Sequence, residues 1–190
     1  TAAYSVNGVQ WPAAFGASTV VLYYNKAHFA AAGLDPEKPP TTLTELRAAA
    51  EALKKVPAPN GPGAEPLAMK LDPWFVENML SANDQTLVDH DNGRDGSRAT
   101  KATLKSESAT TALEWLANMK QDGLLNAIPS TSLIDHYVAV ATGKSSMLLE
   151  TSTAATIIDQ VTSSDKGLKL GAGVYLLQVG KRKFARVTLA

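Results

Sequence analysis

The sequence contains no cysteine among its 190 residues. Disulfide bonds and thiolate sites for zinc or iron–sulfur clusters are therefore excluded. The histidines His28, His90 and His136 have no ligand-like spacing to one another or to carboxylates. They are predicted to be surface or helix residues, and we predict no metal site and no cofactor.

The chain also lacks an excess of charge of either sign, because 18 Lys and Arg residues balance 18 Asp and Glu residues. No field of one sign would attract nucleic acid or acidic lipid. No apolar run approaches the roughly 18 residues that a membrane-spanning helix requires, and the chain does not open on a signal segment. We predict no nucleic-acid partner and no direct membrane span, and the signal of an exported protein would already have been removed.

What the sequence does contain is the composition of a globular protein, with 45% apolar and 19% charged residues. Its length suffices for one good core or two small ones. Segments rich in β-branched and aromatic residues alternate with segments of helical periodicity, which predicts an α/β layered domain. Strands are expected at 18–24, 66–71, 145–150 and 171–177, and helices at 27–32, 42–55, 73–82, 106–123, 132–143 and 153–161.

One passage is unusually specific. Residues 15–46, FGASTVVLYYNKAHFAAAGLDPEKPPTTLTEL, combine an apolar strand, a short helix closed by Gly33, a pair of prolines and a threonine-capped helix. Three further stretches follow in order: DPWFVENMLSAN (72–83), ATTALEWLANMKQDGLL (109–125) and GKSSMLLE (143–150). Together the four stretches resemble the extracellular solute-binding proteins of ABC transporters, in the carbohydrate-binding group that includes maltose-binding and glycerol-3-phosphate-binding proteins.

The resemblance implies an α/β fold, a lobe of the periplasmic-binding-protein type II kind with a mixed sheet flanked by helices. Members of the family are considerably longer and have two such lobes joined by crossing strands. By this likeness residues 1–17 form a hinge or crossing segment, residues 18–178 form a lobe of the C-terminal type, and residues 179–190 return towards a missing N-terminal-type lobe. We therefore expect the chain to be part of a longer protein.

Asp72 and Trp74 are the leading candidates for ligand contact. They stand between a predicted strand and a predicted helix, where α/β proteins present ligand contacts. A sugar offers a C–H face that stacks on an aromatic ring and hydroxyls that donate to carboxylates, and the resemblance implies the same two roles. The alternative is that Asp72 caps the helix and that Trp74 packs in the core.

Two further segments complete the predicted ligand site. Ser18 lies in the stretch that the family places at the hinge, although a simple turn into the strand would explain it equally well. Glu150, Thr151 and Thr153 follow a predicted strand at a place where many relatives carry a glycine and an aromatic residue. Both are absent here, so hydroxyl groups and a helix N-terminus are expected to supply polar contacts instead.

The resemblance implies a non-catalytic receptor that binds a sugar or oligosaccharide between two lobes and delivers it to an ABC permease. Its location would be extracytoplasmic, in the periplasm or lipid-anchored at the cell surface. A glycerol-phosphate-type solute is the second ligand class, since Lys70 and Lys144 are the nearest basic residues and no arginine accompanies the candidates. From other classes, a glycoside-processing enzyme using Asp72 and Glu150 and an isolated lobe without a ligand stay open.

Overall fold

The computed structural model describes residues 5–11, 18–57, 65–158, 174–179 and 183–188. The chain divides into two compact units, one of residues 1–17 and 72–117 and the other of residues 18–71 and 118–190. The predicted lobe of residues 18–178, the hinge segment 1–17 and the return segment 179–190 stay predictions. Residues 1–4, 12–17, 58–64, 159–173, 180–182 and 189–190 lie outside the described residues, and with them parts of the predicted helix 153–161 and strand 171–177.

Strands and helices alternate along the described residues as the sequence predicts for an α/β protein. The strands are β1 (Ser5–Val6), β2 (Val9–Gln10), β3 (Val20–Tyr24), β4 (Glu65–Leu71), β5 (Leu125–Pro129), β6 (Ser145–Thr151), β7 (Val174–Val179) and β8 (Lys183–Thr188). The helices are α1 (Lys26–Ala31), α2 (Leu43–Leu53), α3 (Pro73–Ser81), α4 (Glu107–Gln121) and α5 (Asp135–Ala141), and residues 154–158 are also helical.

A mixed four-stranded sheet organises the second unit, in the order β3-β6-β4-β5. Strand β4 runs parallel to both β5 and β6, whereas β3 runs antiparallel to β6 with Val20 opposite Thr151. The start of β3 and the ends of β4, β5 and β6 therefore lie at one end of the sheet, which we call the carboxyl end. Strands β7 and β8 form a separate antiparallel pair.

The core of this unit is built on its inner strands β4 and β6, which are largely buried. Every residue of β6 from Ser145 to Glu150 is buried, as expected for a strand covered on both faces. One core cluster joins side chains of the sheet to α5 and to the helical residues after β6; its members are Val21, Tyr23, Ala68, Ile128, Val140, Leu148, Ala154 and Ile158. Helix α5 packs on β4 and β6, and α2 packs on β4.

The start of α2 shows how the local sequence sets where the helix begins. Thr42 caps the helix by accepting a hydrogen bond from the Glu45 amide at 3.1 Å, and the Glu45 carboxylate accepts in return from the Thr42 amide. This reciprocal capping box satisfies two backbone donors that a helix start leaves open. The buried residues Leu46, Ala49, Ala50 and Leu53 recur at helical spacing along one face.

The first unit contains a short β1–β2 hairpin that the sequence prediction missed. Its turn residues Asn7 and Gly8 have φ values of 51° and 77°, the left-handed conformation that a two-residue type I′ turn requires. A second left-handed turn covers Asp89–Gly93, where His90, Asp91 and Asn92 all have positive φ. Asn and Asp tolerate this region better than other residues with a side chain.

No helix in the described part of the chain is long and apolar enough to cross a membrane.

Candidate functional site

Two of the predicted ligand segments meet at the carboxyl end of the sheet. The Ser152 amide donates to the Thr19 carbonyl at 2.9 Å, so the residues before β3 lie beside the loop that follows β6. Ser18 and Thr153 are exposed and Thr151 is half-buried. Strand β4 ends at this same end of the sheet with Leu71. The fold thus brings Ser18 close to the residues 151–153, which we call the β6 loop.

The backbone of the β6 loop is held in place on both sides of Thr151. The Tyr23 hydroxyl donates to the Thr151 carbonyl at 2.8 Å, and the Thr151 amide donates to a Glu150 carboxylate oxygen at 2.7 Å. The hydroxyls of Thr151 and Thr153 lie 2.8 Å apart and hydrogen-bond to each other. A hydroxyl can donate one hydrogen and accept two, so this pair retains hydrogen-bonding capacity for a polar solute.

Glu150 is not directed towards solvent. Only 5% of the residue is exposed, and its Oε2 lies 3.1 Å from His136 Nε2. Burial alone raises the pKa of the Glu150 carboxyl, but the hydrogen bonds from His136 and the Thr151 amide, with the charge of Lys70, outweigh it and hold the pKa below its ordinary value. The carboxylate is therefore charged and internally paired, and a ligand role for Glu150 stays a prediction.

His136 is the residue of this region whose environment the sequence prediction missed. It is on a helix, but it is 1% exposed rather than a surface residue. Its ring contacts the Tyr137 ring at a tilt of 42°, with centroids 3.9 Å apart, and its Nδ1 has no hydrogen-bond partner among the described residues. The signal was present, because His136 precedes the buried Ala139 and Val140 by three and four positions, the spacing of one helix face.

Asp72 and Trp74 lie in the first unit, at the start of α3. The Trp74 amide donates to Asp72 Oδ1 at 3.0 Å, and Pro73 occupies the first helical position, so Asp72 is an N-cap. Trp74 is half-buried and meets the Phe75 ring edge-on, with centroids 5.3 Å apart. Asp72 therefore caps the helix and Trp74 is partly packed against its neighbours, as the structural alternative for each residue expects. Contact of either residue with a ligand stays a prediction.

The β6 loop offers hydroxyl groups, and the start of α3 in the first unit separately offers a half-buried indole and a capping carboxylate. Within the described ranges no group of three or more His, Asp or Glu side chains could hold a metal ion. Hydroxyl and carboxylate groups can form hydrogen bonds, and an indole can stack on an apolar face.

Sequence comparisons connect the chain to solute-binding proteins. A family model described as bacterial extracellular solute-binding protein matches residues 2–173. Over 86 residues the chain is 40% identical to the sn-glycerol-3-phosphate-binding periplasmic protein UgpB of Yersinia pestis, a match that covers 45% of this chain and 18% of that protein. A separate match of 39% identity over 90 residues, to a tyrosine–tRNA ligase of Burkholderia lata, covers 43% of this chain and 22% of the ligase.

Structural comparisons establish the fold. An ABC transporter solute-binding protein from Thermotoga lettingae, bound with α-D-tagatose, aligns with a TM-score of 0.66 and 17% identity over 99% of this chain and 45% of its own. UgpB from Mycobacterium tuberculosis, in complex with glycerophosphocholine, gives a TM-score of 0.62 and 21% identity over 84% of this chain and 38% of its own. The predicted mixed sheet flanked by helices is confirmed, and the chain spans less than half the length of these proteins.

Proposed function

The chain belongs to the family of bacterial extracellular solute-binding proteins, and we propose that it forms part of the receptor of an ABC importer for a sugar or oligosaccharide. The observation that carries this proposal is the convergence of Ser18 with the hydroxyls of Thr151 and Thr153 at the carboxyl end of the sheet. Hydroxyl groups at this position suit the hydroxyl rim of a sugar. Asp72 and Trp74, which directly follow β4, are proposed to add a carboxylate and a stacking surface.

A glycerol-phosphate-type solute is the second ligand class. The 40% identity to UgpB over part of the chain favours it, and so does Lys70, whose charge acts on Glu150 near the carboxyl end of the sheet. Binding of a phosphate group would require a cationic side chain that is not already paired with a carboxylate. Because the charge of Lys70 already acts on the Glu150 carboxylate and the β6 loop, Thr-Ser-Thr, contains no cationic residue, the neutral sugar remains the leading proposal.

We further propose that the protein is not an enzyme. A glycosidase needs one carboxyl group as acid or base and a second as nucleophile or base, both facing the substrate. Glu150 instead points at His136 inside the unit, and Asp72 caps α3 through one oxygen. The tyrosine–tRNA ligase match covers less than half of this chain and gives no reason to assign that reaction.

The proposed partners and location follow from the family. The solute would lie between this part of the protein and an N-terminal-type lobe, and closure of the two lobes would present the occupied receptor to an ABC permease. Such a receptor works outside the cytoplasm, in the periplasm or anchored at the cell surface.

A thermal-shift series on the complete gene product tests the proposal, with maltose, tagatose, sn-glycerol 3-phosphate and glycerophosphocholine as probes. A ligand that binds only the folded state stabilises it by about 2.7 kcal/mol at a hundredfold excess over Kd, so Tm should rise with concentration for the neutral sugars. A rise with the phosphorylated probes alone would transfer the proposal to the second class. No rise with any probe would contradict the assignment of this ligand chemistry.

Variants then assign the contacts. Trp74→Ala should abolish the Tm rise, whereas Trp74→Phe, which keeps an aromatic face, should retain most of it. Thr153→Val removes a loop hydroxyl at nearly constant volume and should weaken binding. Thr44→Val is its matched control, because Thr44 is an exposed threonine on α2 of the same unit, away from the β6 loop. Equal affinity in the two threonine variants would remove Thr153 from the proposed site.

A further inference from the structure

The buried pair of His136 and Glu150 stands directly behind the β6 loop. Each oxygen of the Glu150 carboxylate has one assigned partner: Oε2 pairs with His136 Nε2 at 3.1 Å, and Oε1 accepts from the Thr151 amide at 2.7 Å. We propose that His136 is a positioning residue for ligand binding, which orients the Glu150 carboxylate and through it the β6 loop with its two threonine hydroxyls. The link to binding rests on the proposed function, because it takes those hydroxyls as ligand contacts.

The Glu150 carboxylate depends on His136 for its position. With 5% of the residue exposed, the carboxylate has little water to replace a missing partner, and a buried charge without a partner is unfavourable. If the His136 donor were removed, the side chain would have to take up a proton or turn towards water. Either change weakens the acceptor that the Thr151 amide uses.

His136 in turn depends on Glu150 for the orientation of its ring. Nδ1 of His136 has no hydrogen-bond partner among the described residues, so the Nε2 bond to Glu150 is the hydrogen bond that sets the ring's orientation. The tilted contact with the Tyr137 ring supplies packing beside it. A single polar contact, supported by packing, thus determines where both side chains lie.

The orientation of Thr151 follows from this pair. Its amide is bound by Glu150 and its carbonyl by the Tyr23 hydroxyl, so the peptide planes on both sides of the residue are restrained. The side chain is then directed so that its hydroxyl meets that of Thr153 at 2.8 Å. Loss of the amide contact releases one of the restraints on Thr151 and loosens the alignment of the hydroxyl pair.

Charged and titratable groups face Glu150 from each element packed against it. They are His136 and Tyr137 of α5, Tyr23 of β3 and Lys70 of β4. His136 and Lys70 favour the charged carboxylate, whereas the two tyrosines are neutral near pH 7, since the ordinary tyrosine pKa is about 10 and burial raises it further. The carboxylate therefore holds the Thr151 amide at neutral pH, and acid should release it.

The experiment uses the full chain, labelled with ¹⁵N and free of ligand. The chemical shift of an amide that donates to a carboxylate changes when the carboxylate is protonated. The Thr151 amide resonance should therefore move as Glu150 is protonated, with a midpoint pH below the ordinary glutamate pKa of about 4.3. His136→Leu should change the Thr151 and Ser152 resonances and raise their hydrogen exchange about tenfold or more, as expected for loss of one charge-assisted hydrogen bond. His136→Gln keeps an N–H donor of similar reach and should restore much of the wild-type behaviour.

His28→Leu is the matched control. His28 is another buried helix histidine, and its Nδ1 hydrogen-bonds the Ser146 hydroxyl at the other end of β6. It should leave the Thr151 resonance and its acid titration unchanged even though it disturbs packing. Equal changes at Thr151 in the His136 and His28 variants would overturn the positioning role, as would an unchanged Thr151 amide in His136→Leu.

Binding is measured separately, with maltose and sn-glycerol 3-phosphate as probes. For whichever of the two probes the wild-type protein binds, His136→Leu should lower the affinity about tenfold, and His28→Leu should leave it unchanged. A preserved affinity in His136→Leu would overturn the role in binding. If the wild-type protein binds neither probe, the proposed function fails, while the Thr151 amide still decides whether His136 positions the loop.

Discussion

Replacing His136 with leucine should destabilise the sheet-containing unit strongly, and the reason can be worked from the structure. The substitution removes a partner 3.1 Å from a carboxylate that is 5% exposed. Removing the partner of a buried carboxylate leaves an uncompensated buried charge, which costs about 3–5 kcal/mol of unfolding free energy. Leucine fills most of the imidazole volume, so the loss measures the uncompensated charge rather than a cavity.

A double-mutant cycle separates the charge from packing. Glu150→Gln keeps an oxygen that can accept from the Thr151 amide and removes the charge. Its amide group can donate to His136 if the imidazole carries its proton on Nδ1, so this variant should lose only about 1 kcal/mol. The combination of His136→Leu with Glu150→Gln should recover at least about 2 kcal/mol relative to His136→Leu alone, because no buried charge remains.

The contribution of Glu150 to the free energy of unfolding should depend on pH in opposite directions in the wild type and in His136→Leu. In the wild type the pKa of Glu150 is lowered, so its stabilisation is complete above the ordinary carboxyl value and is lost as pH falls through the lowered value. In His136→Leu the main lowering contact is gone and burial raises the pKa. The variant's deficit should therefore be largest near pH 7 and should shrink as the solution is acidified towards pH 4.

The assay must report on the correct unit. All three tryptophans, Trp11, Trp74 and Trp115, lie in the unit of residues 1–17 and 72–117, so their fluorescence is an internal control. Hydrogen exchange of β6 amides in mild urea measures the unit that carries the pair. A His136→Leu loss below about 0.5 kcal/mol, or a deficit that grows on acidification, would refute the reasoning from a buried charged pair.

Three further variants test the fold. Thr42→Ala should cost about 1 kcal/mol through loss of the α2 cap, measured by urea unfolding followed by circular dichroism, and Thr42→Ser should be close to wild type. Gly96→Ala should cost roughly 1–2 kcal/mol by tryptophan fluorescence, since φ is 95° and the added Cβ would lie 2.5 Å from an Asn7 side-chain oxygen. Leu148→Ala, at a fully buried position of β6, should cost about 2–5 kcal/mol.

Much of the fold could be predicted because its signals are local. The apolar run that becomes β3, the threonine cap of α2 and Pro73 at the start of α3 each act within a few residues. Strand β5 was missed because its five residues, LNAIP, carry no alternation and end on proline. The β1–β2 hairpin was missed although Asn7-Gly8 is a strong turn signal.

The candidate site divides in the same way. The predicted strand bounds together with the family resemblance allowed Ser18, Thr151 and Thr153 to be proposed as ligand contacts. The pairing of Glu150 with His136 could not, because the two residues are 14 positions apart and meet only when α5 packs on β6.

By itself, the sequence determined the order of strands and helices, their caps and the family likeness, because short-range sterics and apolar periodicity act along the chain. Only the tertiary structure decided that β4 runs parallel to β6 while β3 runs antiparallel, and that Glu150 lies inside the unit on His136 rather than at the surface. Register and burial depend on contacts between segments distant in sequence. The same local pattern is compatible with several of these arrangements until the sheet and its helices are packed together.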